Sequence, residues 1–425
     1  MDINRKTAFD VLMDVEKNEA YSNLSLNNYI EKNRPDSPAF VRELVYGVLK
    51  NKFLLDRFLQ QLIPSGLKKV KKQDLMLLRM GVYQISYMDS VPEYAAVSRT
   101  VDMAKKLARG REGFINGVLR GYIRNRQQLV LPDRKEKLEE YLSVMYSVEP
   151  WIVRLWTEAY GEEKAEELLK ASNETPELCI RVNLMKTHRD SLKERLEAQD
   201  FQVKKSEVSC RGLLVRGRGL LETKEYEEGF FSVQDEASIL ASDMLGAEPA
   251  DKVADVCAAP GGKTFATAEL MAGEGVIYAM DKYEHKLKLM EAQAKRAGID
   301  NIRLLLHDST APRQELKGQM DKVLADVPCS GLGVMRRKPE IKYKGRQDLD
   351  ELIERQERIL KAAAEYVRAG GILVYSTCTI NPLENENQIE KFLRGNKEFK
   401  ALEQKQLLPT GGTDGFFICK MRKEQ

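Results

Sequence analysis

The stretch Gly370–Glu386, GGILVYSTCTINPLENE, decides how the chain is read. From Gly371 to Tyr375 it is an unbroken apolar run closing on a polar corner, the pattern of a buried parallel strand. Cys378 falls where that strand should end, and ligands of open α/β sheets bind beyond the carboxyl ends of the strands. Two more cysteines repeat the placement: Cys257 in KVADVCAAPGG and Cys329 in KVLADVPCSG each close an apolar run. Three thiols at one rim predict thiol chemistry.

Outward from that stretch the pattern alternates between strand and helix. Strands are predicted at Lys252–Val256, Gly275–Met280, Ile302–Leu306, Lys322–Asp326 and Gly371–Tyr375, and helices at Gly262–Met271, Glu284–Ala297 and Asp348–Arg368, with another starting near Glu384. Repeated βα units imply a mostly parallel sheet covered on both faces, so residues 236–425 are expected to form an α/β, Rossmann-like domain. Residues 135–235 have a different character. Helical patterns at Trp151–Tyr160 and Glu162–Ser172 precede strands at Leu178–Val182, Gln202–Val208 and Gly212–Val215, and Thr187 with Asp190 forms a candidate capping box. The β-α-β-β order predicts a small α+β RNA-binding or linker module, RRM-like in part but without the RRM aromatic signature.

Residues 1–130 show helical spacing throughout and no strand-like alternation, which predicts an all-α bundle. This segment holds 22 Lys+Arg against 14 Asp+Glu, a net of +8, which leaves −5 for the remainder of a chain of net +3. Its basic residues cluster at Lys68–Lys72, at Lys105–Arg111 and at Arg120–Arg126, so a polyanion partner is expected there. The acidic residues in MDINRKTAFDVLMDV make a poor signal peptide, and no apolar stretch reaches the roughly 20 residues that span a bilayer. A cytoplasmic protein without membrane contact is expected. Six cysteines with no C-x-x-C pair, together with three histidines, argue against a structural metal site or a disulfide framework.

Asp255–Thr264, DVCAAPGGKT, reads as a strand–loop–helix corner in which Gly261 and Gly262 allow close backbone approach and the helix offers free N–H donors. Asp281 and Asp308 end the next two strands, where an acid can accept hydrogen bonds from ribose hydroxyls or lie beside an adenine. A phosphate-binding P-loop would need glycine where Cys257 stands, so an NTPase with Asp326 as magnesium ligand is a weaker alternative. The absence of G-x-G-x-x-G disfavours NAD.

DVCAAPGGKT, ADVPCSGLGVMRRKPEIKY, STCTINPLENE and the terminal DGFF together resemble the RNA cytosine-C5 methyltransferases that use S-adenosylmethionine, over most of residues 175–425. The helical segment resembles the NusB-type fold, and the combination is similar to the bacterial 16S rRNA enzymes of the Sun (Fmu) type, whose site is the nucleotide called cytosine 967. The resemblance implies cofactor contacts from Cys257, Ala258, Ala259, Pro260, Gly261, Gly262, Lys263, Asp281, Asp308 and Asp326. It implies Cys378 as nucleophile and Cys329 in product release, and it puts Gln234 and Asp235 beside the cofactor. Leu332 and Lys338 depart from the commoner Thr and His of that loop.

Cytosine C5 is too electron-poor to attack a sulfonium methyl until a thiolate adds at C6, so the reaction needs a cysteine available as its anion. Local chemistry does not choose between Cys378 and Cys329, since DNA cytosine methyltransferases attack with a Pro-Cys thiol; the resemblance alone assigns Cys378. Asp326 can hydrogen-bond the cytosine edge, and Cys329 or water can remove the C5 proton. Arg336, Arg337, Lys338 and Lys342 are expected along the RNA backbone, beside a base turned out of its stack. The expected partner is 16S rRNA, naked or in an assembling small subunit, bound by a monomer. A non-catalytic RNA-binding or antitermination factor is the alternative from another class.

Overall fold

A computed structural model describes residues 2–18 and 20–424. The chain divides into two compact units, one running to Glu174 and including Met335–Gly345, the other comprising Thr175–Val334 and Arg346 onward.

The first unit is helical. Helices at Ile3–Asn18, Ser22–Asn33, Pro38–Lys50, Lys52–Leu62, Lys72–Tyr87, Glu93–Leu107 and Glu112–Asn125 bury their apolar stripes in one core, with Leu12, Leu44, Leu55, Leu77 and Leu119 inaccessible to solvent. The local signals are ordinary ones. Pro38 opens its helix without losing a hydrogen bond, and the Ser37 hydroxyl accepts from the Phe40 N–H at 3.3 Å. Helices at Leu138–Tyr146, Pro150–Tyr160 and Glu162–Ala171 also belong to this unit, so the helical region runs past the expected boundary near residue 130.

The second unit carries two sheets. In the smaller, β1 (Leu178–Val182), β2 (Gln202–Lys205), β3 (Gly212–Arg216) and β4 (Phe231–Val233) lie in the order β2-β3-β1-β4, all antiparallel. The expected capping box does not form. His188 precedes the Arg189–Glu197 helix without a side-chain cap, and Asp190 pairs with Lys205 instead.

The larger sheet contains β5 (Lys252–Asp255), β6 (Val276–Asp281), β7 (Ile302–Leu306), β8 (Met320–Asp326), β9 (Val367–Thr377), β10 (Phe399–Leu407) and β11 (Phe416–Lys423), ordered β10-β11-β9-β8-β5-β6-β7. The five strands from β9 to β7 are parallel, whereas β11 runs antiparallel to β9 and β10 antiparallel to β11. The sheet is therefore mixed; the sequence reading contained its parallel part and not the terminal hairpin. Strand order reverses between β5 and β8, which opens a crevice at their carboxyl ends.

Candidate active site

The corner after β5 is built as its composition suggests. Gly261 has φ +104°, a conformation that L side chains rarely adopt, and a Cβ there would lie 2.4 Å from the Phe265 ring. Gly262 has no such constraint, since its Cβ would meet Gln234 at an ordinary 3.6 Å. The Ala259–Pro260 peptide is cis. Ala258 donates its N–H to the Met280 carbonyl at 2.9 Å, which ties the loop to β6.

Buried Asp255, at the tip of β5, accepts from the Thr264 hydroxyl at 2.7 Å and from the Cys257 N–H at 3.3 Å. Burial pushes its carboxyl up to about 7, against the Thr264 hydrogen bond. Cys257 is pushed well above the ordinary thiol range by burial first, then by the charges of Asp255, Asp326, Asp281 and Asp308. Four carboxylates therefore act on one loop. Asp281 accepts the Tyr283 N–H at 2.9 Å, and Asp308 accepts the Thr310 N–H and hydroxyl at 3.0 and 2.8 Å. Those two hydrogen bonds hold Asp308 below the usual carboxylate range. A crevice with this negative field fits a sulfonium cation and the hydroxyls of a ribose.

The two remaining predicted cysteines come together. Cys329, three residues beyond β8, and Cys378, immediately beyond β9, have their sulfurs 3.0 Å apart. The hydrogen bond to Cys378 first, then burial, then the charges of Cys378, Glu384 and Asp326 push the Cys329 thiol well upward, so Cys329 stays protonated. Lys263 lies close by, its ammonium 2.8 Å from Asp326 Oδ2, while the Ser376 hydroxyl donates to Asp326 Oδ1 at 2.8 Å. Burial opposes the Lys263 charge, yet Asp326, by charge and hydrogen bond, followed by Cys378 and Asp255, raises it above the ordinary lysine range. A lysine engaged in this way is not the free cation of a phosphate cradle.

Sequence reasoning missed what fastens these loops. The Glu384 carboxylate, inaccessible to solvent, accepts from Ser330 N and Oγ at 2.8 and 2.5 Å, from Gln356 Nε2 at 2.9 Å and from Asn381 Nδ2 at 3.0 Å. One buried anion thus binds the segment after Cys329 to the segment after Cys378. Gly333 and Gly415 add a backbone stitch. The Gly333 N–H donates to the Cys378 carbonyl at 3.1 Å and the Gly415 N–H to the Gly333 carbonyl at 2.9 Å, and a Cβ on Gly333 would fall 1.9 Å from the Gly415 oxygen. Beneath the cofactor corner, buried Arg181 of β1 donates to both Glu269 oxygens at 2.8 Å, to the Gly262 carbonyl at 2.8 Å and to Gln234. Gln234 accordingly packs under the corner, and Asp235 caps the Glu236–Leu245 helix by accepting the Ala237 N–H at 2.9 Å.

The expected basic loop needs correcting. Lys342 is 0% exposed inside the helical unit, where its amine meets the Tyr146 carbonyl at 3.2 Å and Asn173 Oδ1. Burial first, then the charge of Lys50, lowers its pKa well below the ordinary lysine range. Arg336 is 5% exposed. The sequestered positions cannot lie along an RNA backbone, because the loop is drawn into its unit by Ser22 on Glu340 at 2.6 Å and by Trp151 on the Lys344 carbonyl at 2.8 Å. Arg337 and Lys338 keep intermediate exposure.

Sheet order, glycine corner and acidic crevice are those of a Rossmann-like methyltransferase that uses S-adenosylmethionine. Comparison with known proteins narrows that class. Three family models match, described as 16S rRNA methyltransferase RsmB/F over residues 242–422, NusB family over 2–124, and a ferredoxin-like domain of the RsmF/B-like methyltransferases over 149–219. The relative named "Probable ribosomal RNA small subunit methyltransferase B" from Bacillus subtilis (strain 168) is 37% identical, over 99% of this chain and 98% of its own. Among solved structures, one crystal structure matches with TM-score 0.86 at 25% identity, covering 100% of this chain and 99% of its own. NSun6 from Pyrococcus horikoshii, solved with SFG, matches with TM-score 0.59 at 25% identity, over 64% of this chain and 98% of its own. The chain belongs to the RsmB/F family of 16S rRNA methyltransferases, with an N-terminal NusB domain.

Proposed function

We propose that this rRNA methyltransferase methylates C5 of a cytosine in 16S rRNA, the family's cytosine 967, through a covalent bond between Cys378 and C6. The observation that carries the reading is the thiol pair: two sulfurs 3.0 Å apart at adjacent parallel strand ends, with the Lys263–Asp326 ion pair beside them. A thiol that stays protonated donates its hydrogen, so Cys329 favours the anion on Cys378, and the Lys263 charge acts in the same sense.

In the proposed reaction the Cys378 sulfur adds to C6 and the C5–C6 π electrons become available at C5. Asp326, held by Lys263 and Ser376, accepts a hydrogen bond from the cytosine amino edge and so orients the base for attack. Cys257–Lys263, Asp281, Asp308 and Asp326 would hold S-adenosylmethionine, which would supply the methyl group: the C5 electron pair would form the new carbon–carbon bond as the methyl–sulfur bond breaks and S-adenosylhomocysteine leaves. Loss of the C5 proton to water returns the electrons that expel the Cys378 thiolate and restore the double bond, and the protonated Cys329 beside it assists that release. Lys263 serves this site through the Asp326 pair, which holds that side chain between the two loops.

The partly exposed remainder of the basic loop, Arg337 and Lys338, is proposed to meet the RNA backbone. Replacing both by Gln should flatten the dependence of RNA affinity on salt by about 1.4 in log–log slope, at about 0.7 per phosphate contact, and an unchanged slope removes them from the interface. The reading as a whole is tested by bisulfite mapping of 16S rRNA from cells lacking the protein. One unprotected cytosine that regains protection with the wild-type chain, and not with Cys378→Ala, is expected. An undisturbed methylation pattern overturns the assignment.

A further inference from the structure

In the helical unit, an open groove of about 650 Å³ lies between the Glu93–Leu107 and Glu112–Asn125 helices, outside everything described above. Its floor is apolar, from Val97, Val101 and Ile123, and Tyr94 stands at its edge 78% exposed. The lining residues recur at intervals of three and four on each helix, so each helix presents one continuous face to the groove. An aromatic ring this exposed contributes little to the fold, and a tyrosine over an apolar floor is a stacking platform.

The charge around that platform favours an anion. Lys105, Arg120 and Arg124 line the groove. Its two acids already have partners: Asp102 takes Lys105 at 2.8 Å and Glu93 takes Arg126 at 2.7 Å. Arg120 leans on Asn116 of its own helix at 3.0 Å, and neither Arg120 nor Arg124 belongs to an ion pair among the described residues. Exposed Arg99, Lys106 and Arg109 extend the positive surface along the Glu93–Leu107 helix and the turn after it. Aromatic face, apolar floor and unneutralised arginines together match an unpaired nucleotide, whose base stacks while its phosphates meet guanidinium groups. A folded duplex keeps its bases stacked and gives the ring nothing to bind.

We infer that this groove is a second RNA site, one that takes an unstacked nucleotide of a single-stranded rRNA segment on Tyr94, with its flanking phosphates on Arg120 and Arg124. The inference rests on RNA being the substrate and adds where the helical unit grips it.

The test uses the full chain, a fluorescent single-stranded oligoribonucleotide and a fully paired hairpin of the same length. Tyr94→Ser should weaken single-strand binding about 5- to 30-fold and leave hairpin binding within about twofold, while Tyr94→Phe should bind as the wild type does. Arg120→Gln with Arg124→Gln should lower the salt slope for the single strand by about 1.4, at about 0.7 per phosphate. Single-strand binding unaltered by both changes overturns the inference, as does a wild-type chain that binds no single strand. Weakened binding to ribosomal particles alone, with oligonucleotide binding intact, also overturns it and identifies a protein-docking face. Methyl transfer read in parallel separates the two claims: transfer that survives with an inert groove sinks only this inference, whereas no transfer to any RNA sinks the proposed function.

Discussion

Cys257 and Cys378 both stand just beyond the tips of parallel strands, and strand-end position alone does not rank them, yet the fold gives them different surroundings. Burial first, and then four nearby carboxyl groups, raise the Cys257 thiol well above the ordinary range. Cys378 has its sulfur 3.0 Å from that of Cys329 and acts electrostatically on the Lys263 ammonium, the surroundings on which its proposed role as nucleophile rests. Position at a strand end selects where a ligand sits; under the proposed mechanism the charges brought by neighbouring strands select which thiol reacts.

That contrast can be broken in order of expected effect. Cys378→Ala should lower methyl transfer at least about 10³-fold with S-adenosylmethionine binding retained, measured by tritium transfer and calorimetry. Glu384→Ala strips the acceptor from Ser330, Gln356 and Asn381, so it should cost about 3 kcal/mol in denaturant unfolding and lower transfer about 10²-fold as the thiols lose register. A Glu384→Ala protein with wild-type stability and rate would show that the two loops hold themselves.

Asp255 gives a pH prediction. Its carboxyl is raised in the fold to about 7 from an ordinary value of 3.8, so the stability it contributes is full below about pH 4 and is lost as pH rises through about 7. Asp255→Asn should remove a fall of up to about 4 kcal/mol between those limits, followed as the urea midpoint against pH. An Asn variant with the same pH slope would contradict an Asp255 carboxyl raised by burial. The smallest effect is expected of Cys257→Ala, which should change transfer by no more than about threefold, since a neutral thiol contributes little beyond its volume. A loss comparable to that of Cys378→Ala would erase the distinction between the two cysteines.

The readable part of the fold was the part with apolar periodicity. The buried strand Gly371–Tyr375 and the runs ending at Asp255 and Asp326 have hydrocarbon on both faces, and a continuous run records that. The hairpin was not readable, because β10 is an edge strand, PheLysAlaLeuGluGlnLysGlnLeu in composition, with most of its residues exposed and no apolar alternation to mark it. Contacts at long sequence separation were equally hidden. Nothing in LCIRV announces that Arg181 is buried, since its partner Glu269 lies 88 residues away. Lys342 looked like part of a solvated basic run, and its burial depends on the Tyr146 carbonyl, 196 residues distant. The identities of Cys329 and Cys378 as a pair were legible; the buried carboxylate of Glu384 that binds their loops was not, because ENE reads as a polar corner whichever way its acids face.

The most direct measurement is trapping on RNA containing 5-fluorocytidine in place of the target, since fluorine at C5 cannot leave as a proton would and the adduct persists. Wild type and Cys329→Ala should each give a denaturation-resistant protein–RNA band whose linked peptide contains Cys378, and Cys378→Ala should give none. An adduct that persists in Cys378→Ala and disappears in Cys329→Ala would contradict the account and move the nucleophile to the neighbouring strand.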